Sequence, residues 1–181
     1  MNSRIPIRID RLARIALVAL AIHLPTNAQA QEGRWRLDTS KPLTYFIAEG
    51  STVSGFQPGD EILAKWAIEA WGEQIDPPLT LVPGPEESAT IRIYWVSAGS
   101  GLYGEMRGRR VQGKMAADLF VHPDTDYLGL EIAQKARSDP LLRATVIYLT
   151  CVHELGHAFG LPHTSEFEDI MYSFQFGGDF V

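Results

Sequence analysis

A stretch of 13 residues, Cys151 to His163 (CVHELGHAFGLPH), constrains this chain more strongly than any other part of its sequence. His153 and His157 are four residues apart, so a helix would place both imidazoles on one face, one turn from each other. Glu154 directly follows the first of them and can lean toward the same point in space. Two imidazoles and a neighbouring carboxylate at this spacing predict a metal site with a base beside it.

The second half of the stretch supplies a turn and a third histidine. Gly160 predicts that the chain leaves the helix sharply, because glycine adopts positive φ without steric cost. His163 can then return to the first two histidines as a third nitrogen ligand. Three protein ligands and one open position are typical of a catalytic zinc site rather than a structural one. Unrelated histidines near a helix end are the alternative, which fits poorly because three of the chain's five histidines fall within eleven residues.

Residues 1–30 are typical of a secretory signal peptide. Residues 15–22 (IALVALAI) form an apolar segment too short to span a bilayer comfortably, and Ala28 and Ala30 are small residues suited to a cleavage site. We therefore predict cleavage after Ala30 and export to a periplasm or out of the cell. An uncleaved anchor and an organelle transit peptide are the alternatives, because the basic segment is long and arginine-rich: Arg4, Arg8, Arg11 and Arg14.

Residues 31–181 are predicted to form one domain. Without the four arginines and one aspartate of the leader, 12 basic and 21 acidic residues remain, a formal charge of −9. This charge argues against a nucleic-acid binder, which needs a basic face, and we expect a monomer with no membrane contact once the leader is removed. Cys151 is the only cysteine, so no internal disulfide can form. Helical spacing turns it away from His153, which favours a buried thiol over a metal-bound thiolate.

Hydrophobic periodicity predicts strands and helices along this domain. Asp139 and Pro140 suit the N-cap and first position of the helix that carries the histidines. Trp66 and Trp71 are expected to anchor the first helix in the core. The predicted strands are residues 43–47, 79–82, 89–96, 102–106 and 116–121, the predicted helices are 58–75, 129–137 and 140–159, and the expected core face of the last helix is Leu142, Val146, Leu149 and Val152.

Two segments carry weaker signals. Residues 97–114 are rich in glycine and arginine, which could contact an acidic partner but is more typical of a solvated loop or hairpin. Asp124 and Asp126 are candidate calcium ligands, because Ca²⁺ favours clustered carboxylate oxygens. They lack the rest of a calcium-loop pattern, and a plain turn fits them better.

Several segments together resemble the matrixin branch of the metzincin zinc endopeptidases. The histidine stretch carries the resemblance most strongly, and Met171-Tyr172 matches the Met-turn of that branch, in which tyrosine directly follows methionine. Weaker similarity to the first helix and the first three strands of a matrixin catalytic domain extends the match to roughly residues 41–173: 41–47 (KPLTYFI), 67–71 (AIEAW), 78–81 (PLTL) and 89–93 (ATIRI).

The resemblance implies an α+β metzincin fold. Its expected features are a twisted, mostly parallel sheet of about five strands, a long first helix behind the sheet and a zinc-binding helix below it. It also implies an antiparallel edge strand over the cleft, where an extended peptide would add by backbone hydrogen bonds. Residues 102–106 are the candidate for this edge strand.

The resemblance also implies a hydrolase, a metalloprotease that uses one catalytic Zn²⁺ and cleaves a peptide or protein substrate. The three histidines of the opening stretch would bind the metal, and Glu154 would be the general base for a metal-activated water. Met171 would form an apolar floor under the metal. Gly160 and Tyr172 would support the site, with Tyr172 placing the turn and one wall of the substrate pocket.

The sequence departs from the family pattern in three places. No histidine lies between the third strand and the candidate edge strand, so the second, structural zinc of vertebrate matrixins is not expected. No cysteine precedes the first strand, so latency through a thiolate bound to the zinc is not expected, and Ser173 stands where the family usually has proline. Hydrolysis of a non-peptide amide and a non-catalytic binding role are the alternative functions; an intact Glu154 argues against the second.

Overall fold

The computed structural model describes residues 35–97, 103–127 and 130–172. The predicted leader, Ser173 and Leu102, the first residue of the candidate edge strand, lie outside these ranges. Among the described residues, no helix is both long and apolar enough to cross a membrane. The elements follow in the order β1 (Leu43–Ile47), a 3₁₀ turn (Thr52–Ser54), α1 (Asp60–Gln74), β2 (Leu81–Pro83), β3 (Ile91–Trp95), β4 (Gly104–Val111), β5 (Lys114–Val121), a 3₁₀ turn (Thr125–Tyr127), α2 (Leu130–Ser138) and α3 (Pro140–Ala158).

The five strands form one sheet in the order β2-β1-β3-β5-β4. All neighbouring pairs are parallel except β4 and β5, which form an antiparallel hairpin at one edge. Gln112 and Gly113 connect this hairpin with φ angles of 50° and 77°, as a two-residue turn of the primed type requires. The α+β fold with a mostly parallel five-stranded sheet and an antiparallel edge strand is therefore confirmed.

The edge strand is longer than the sequence predicted. β4 runs from Gly104 to Val111, whereas the sequence predicts residues 102–106, and its pairing with β5 gives the hairpin that was one of the two expected forms of this segment. Glycine has weak strand propensity, but contacts between β4 and β5 compensate for it. Arg107 lies over the Phe120 ring, 4.7 Å from its centroid, and Arg109 binds Asp118 at 2.5 Å.

The core lies between the sheet and the helices. Ile91, Ile93 and Trp95 alternate with more exposed residues along β3 and are buried, as the strand pattern predicts. Leu119 and Val121 of β5 extend the same buried surface. The sheet therefore has one face covered by helices, and this face supports α3.

The predicted core face of α3 is wrong. The expected stripe is only partly buried, and the fully buried apolar residues lie on roughly the opposite side of the helix. α3 packs between α1 and the sheet, so it has apolar residues on more than one side and periodicity alone could not select among them. The buried side chains are Ile147, Cys151, Leu155 and Ala158, and Cys151 is a free thiol whose pKa is raised by burial, as expected of a core cysteine.

Helix α1 differs from its prediction at its start and on its surface. It begins at Asp60 rather than Pro58, after Gly59, which has a φ of 106°. Trp71 packs against the core and donates its indole N–H to the Val152 carbonyl at 2.9 Å, as a core anchor would. Trp66, however, is 47% exposed, because it lies off the buried face of α1, which is formed by Asp60, Ala64, Ala67, Ile68 and Gly72.

A buried ion pair fixes the start of α3 against the start of α1. Arg143 donates two hydrogen bonds to the Asp60 carboxylate, at 2.7 and 2.9 Å, and only 3% of the Asp60 side chain is exposed. The same guanidinium donates to the carbonyls of Gly55 and Pro123, at 3.0 and 3.3 Å. Asp60 and Arg143 are 83 residues apart in sequence, so local patterns do not indicate this connection.

The residues before β1 form an arm that docks on the domain. The Trp35 ring lies directly against Gly108 of β4, and its indole N–H donates to the Ala116 carbonyl at 3.2 Å. Leu37 is 1% exposed, and its backbone N–H donates to the carbonyl of Ala158, the last residue of α3. The arm therefore covers both the edge hairpin and the end of the helix that carries the histidines.

Candidate active site

Helix α3 carries His153 and His157 on adjacent turns near its C-terminal end. Asp139 caps its N-terminus by accepting the N–H groups of Leu141 and Leu142, and Pro140 occupies the first position, as predicted. The two imidazole rings meet edge to face, with centroids 4.8 Å apart. The i,i+4 spacing thus gives the shared helix face that the sequence predicts.

The chain leaves α3 through a compact turn at Gly160, whose φ is 90°. The Gly160 N–H donates to the His157 carbonyl and the Leu161 N–H to the Gly156 carbonyl, both at 2.9 Å. This is the Schellman pattern, which requires a left-handed residue at this position. The turn brings His163 back beside the helix, as predicted.

Three imidazole nitrogens converge at the turn. His163 Nε2 lies 3.2 Å from both His153 Nε2 and His157 Nε2. Two nitrogens bound to one tetrahedral zinc at about 2.0–2.1 Å would lie roughly 3.3–3.4 Å apart. All three ligand atoms lie within 4.8 Å of one another and two of their separations are close to the spacing expected at zinc, so the cluster suits a single cation.

Backbone carbonyls fix which nitrogen of each helical histidine faces that point. His153 Nδ1 lies 2.7 Å from the Ile170 oxygen, and His157 Nδ1 lies 2.9 Å from the Leu161 oxygen. A carbonyl only accepts hydrogen bonds, so each Nδ1 carries the proton and each Nε2 presents a lone pair. A single N–H on His163 could satisfy only one of these lone pairs, whereas a cation would satisfy both.

Burial keeps these imidazoles neutral. It lowers the pKa of His153, and it lowers the pKa of His157 to about 4, with a further contribution from neighbouring His153. The pKa of His163 is also lowered to about 4, by burial and then by His153. Neutral imidazole is the form that binds a metal, so the donor set is prepared for one near neutral pH.

Glu154 lies between α3 and the edge strand. Only 6% of the residue is exposed. Its carboxylate rests against the backbone of Gly104, where an added Cβ would come within 2.5 Å of Oε1 and 2.6 Å of Cγ. The side chain that follows the first histidine therefore reaches the sheet edge beside the histidine cluster.

Met171 packs against α3 at Gly156, the residue directly before His157. It is 2% exposed, and its Sδ and Cε lie where a Cβ on Gly156 would have to go. The Met171 carbonyl accepts the Thr164 N–H at 2.9 Å, so the Met171 turn is joined to the segment just after His163. Tyr172 continues this turn, forming an isolated parallel bridge with Thr164.

Several contacting residues were not identified from the sequence. Gly104 and Gly156 leave room for Glu154 and Met171, and Asp169 Oδ1 accepts the Met171 N–H at 2.8 Å. The sequence could have indicated the Asp169 contact, because an aspartate side chain commonly accepts the N–H of the residue two positions later in a turn. The glycines gave no local signal, since their partners lie far away in sequence.

The acidic pair after β5 forms local contacts. Asp124 Oδ1 accepts the backbone N–H of Asp126 at 2.9 Å, and Asp126 pairs with Arg137 at 2.6 Å. This is the plain turn that the sequence favoured. The Asp126 carboxylate is already balanced by an arginine in this arrangement.

Comparison with known proteins agrees with the geometry. A family model described as Matrixin matches residues 34–176. Macrophage metalloelastase from Oryctolagus cuniculus is 31% identical over 117 residues, which is 62% of this chain. The chain spans 23% of the length of that relative.

Proposed function

Because the chain belongs to the matrixin family of zinc-dependent peptidases, we propose that it is a secreted zinc endopeptidase that hydrolyses peptide bonds with Glu154 as general base. The observation that carries this proposal is the convergence of the three Nε2 atoms, with His163 3.2 Å from each of the other two. The fixed tautomers of His153 and His157 and the lowered pKa values of all three imidazoles support the same assignment.

The proposed metal ligands are the Nε2 atoms of His153, His157 and His163. When bound, zinc would acidify a water molecule and polarise the substrate carbonyl. The Ile170 carbonyl holds the His153 imidazole in position, and the Leu161 carbonyl holds that of His157. Both hydrogen bonds also increase the basicity of the imidazole they contact. Met171 packs beneath the helix and gives the site an apolar floor.

Glu154 would move the protons of the reaction. It would accept a proton from the attacking water and then deliver it to the amine that leaves when the peptide bond breaks. Its position supports this role, because the side chain follows His153 on the helix and its carboxylate lies against the edge strand. The Glu154 side chain therefore lies near both the histidine cluster and the proposed substrate position.

The outer edge of β4 would bind the substrate as an added strand. The His122 N–H donates to the Tyr103 carbonyl, so the polar groups of Tyr103 face β5. Backbone groups alternate in direction along a strand, which turns those of Gly104 and Met106 away from β5. These groups are suited to pair with an extended peptide that crosses beside Glu154.

Cleavage of casein and a quenched fluorescent peptide library, with and without a zinc chelator, tests the proposal. We expect chelator-sensitive cleavage and one zinc per chain, and a loss of about 100-fold or more in kcat for Glu154→Gln with the zinc content unchanged. An active Glu154→Gln variant would exclude the base assignment. Zinc-loaded protein that cleaves no peptide would contradict the peptidase proposal and favour a non-peptide amide substrate or a binding role.

A further inference from the structure

Gly104 is the first residue of the edge strand, and it touches the proposed base from the opposite side of the cleft. A Cβ built on it would lie 2.5 Å from Glu154 Oε1, 2.6 Å from Cγ and 2.8 Å from Cδ. Contacts this short do not occur for real Cβ atoms, so any side chain here would force Glu154 to move. The φ of Gly104 is not in the left-handed region, so backbone conformation does not explain the glycine.

The added Cβ would meet the carboxylate end of the Glu154 side chain rather than the Glu154 backbone. In an ordinary core position a flexible side chain could move away from an added methyl group at little cost. Glu154 is only 6% exposed and lies beside the histidine cluster, so a shift of its carboxylate changes the position of that group relative to the imidazoles. A shift of about 1 Å in a catalytic group can reduce the rate by about 100-fold.

We propose that Gly104 is a positioning residue for Glu154: its missing side chain creates the space in which the carboxylate lies between the three histidines and the bound peptide. The expected effect on catalysis rests on the endopeptidase function proposed above, whereas the contact between Gly104 and Glu154 does not. The polar groups of Gly104 face outward and its Cα–H faces Glu154, so one residue contacts both the substrate and the base.

Because the backbone of Gly104 faces the substrate position and its Cα–H faces Glu154, a side chain added here should affect kcat and KM differently. Gly104→Ala leaves the outward N–H and carbonyl of the strand in place, so peptide pairing and KM should change by less than about threefold. The added methyl group displaces the Glu154 carboxylate, so kcat should fall by about 10- to 100-fold. Zinc content should remain at the wild-type value, because the variant touches none of the three histidines.

A matched control is available on the same strand. Gly108→Ala places a methyl group on the same face of β4, four residues further on, where it meets the Trp35 ring rather than Glu154. It therefore measures the effect of a steric clash on this strand without contact with the proposed base. Gly108→Ala should lower Tm while retaining more of kcat than Gly104→Ala.

A double-mutant cycle in thermal stability tests the contact independently of activity. Alanine is not worse than glycine in a strand, so a lower Tm for Gly104→Ala reports the clash with Glu154. We expect a loss of several degrees in the Glu154 protein and little or no loss in the Glu154→Ala background, where the methyl group has space. Gly108→Ala should cost the same Tm in both backgrounds.

The two proposals fail in different ways. Equal Tm losses for Gly104→Ala in both backgrounds, or an unchanged kcat in an active enzyme, would overturn the positioning role. If wild-type protein cleaves no peptide but the Tm cycle shows the coupling, then the endopeptidase proposal fails and the Gly104–Glu154 contact stands.

Discussion

At the scale of single residues, the orientation of the histidines is determined by carbonyls outside helix α3. The Ile170 oxygen holds His153 and the Leu161 oxygen holds His157, and both belong to chain that follows the helix. Such outer hydrogen bonds commonly change metal affinity by 10- to 100-fold when they are lost. The geometry of the histidine cluster therefore depends on Leu161 and on the shape of the turn at residues 166–172 as well as on the histidines themselves.

Asp169 is the residue that most directly shapes this turn. It accepts the Met171 N–H through Oδ1, and its own carbonyl accepts the Tyr172 N–H at 3.0 Å. Asp169→Ala should misplace the Ile170 carbonyl and weaken zinc binding by about 10-fold or more, measured by competition with a chromophoric chelator. Exposed Glu168→Ala is the control. Equal zinc affinity in both variants would contradict this role of Asp169.

At the scale of elements, the Asp60–Arg143 pair joins α1 to α3. Removing one member of a buried, hydrogen-bonded ion pair leaves an uncompensated charge, which typically costs about 3–5 kcal/mol. Arg143→Ala should therefore lower the free energy of unfolding, measured by urea denaturation, by about that amount. The exposed pair Lys65–Glu69, about half exposed on each side, is the comparison, and Lys65→Ala should cost less than about 1 kcal/mol. Similar losses for the two variants would contradict the structural importance of the buried pair.

Asp118 joins three strands of the sheet. It binds Arg92 of β3 at 2.7 and 2.6 Å and Arg109 of β4 at 2.5 Å. Burial alone would raise the pKa of Asp118, but the hydrogen bonds from the two arginines outweigh it and lower the pKa below its ordinary value.

A lowered pKa makes the contribution of Asp118 to stability dependent on pH. The stabilisation is fully present above the unfolded-state pKa of about 3.9 and is lost as the pH falls through the lower folded-state pKa. Urea denaturation at pH 6 and pH 3 should show a decrease that is smaller in Asp118→Asn, which has no carboxylate to titrate. The same decrease in both proteins would contradict this assignment.

At the scale of the whole molecule, the arm before β1 connects regions that are far apart in sequence. Leu37 is buried and hydrogen-bonded to the end of α3, and the Arg36 side chain lies against Gly160, where an added Cβ would be 3.1 Å from it. The arm thus supports the turn that returns His163. The mostly polar sequence of residues 31–42 gives no local reason to expect this contact.

Leu37→Ala should affect both stability and the site. Replacing a buried leucine by alanine typically costs about 2–5 kcal/mol, so the urea midpoint should fall, and zinc affinity should fall with it because the end of α3 is released. Val53→Ala, at an 84% exposed position, is the control and should change neither. A Leu37→Ala protein with full stability would show that the arm is dispensable.

The sequence predicted what depends on local spacing. The i,i+4 histidines, the Asp139 cap and the Gly160 turn follow from rules that act within a few residues, and all three match the structure. It failed where the outcome depends on which elements meet. The exposure of Trp66 and the buried face of α3 depend on how α1 and α3 pack, which local periodicity does not encode.

The docked arm also determines when the site can be completed during synthesis. Trp35 and Leu37 leave the ribosome long before their partners, Gly108 and Ala158, have been made. A contact cannot form before both of its residues exist. A nascent chain that ends before Ala158, the last residue of α3, therefore cannot have the arm in place. The last histidine follows only five residues after Ala158. A complete histidine cluster supported by the arm therefore requires every residue through His163 to have been made, and shorter translation products lack it.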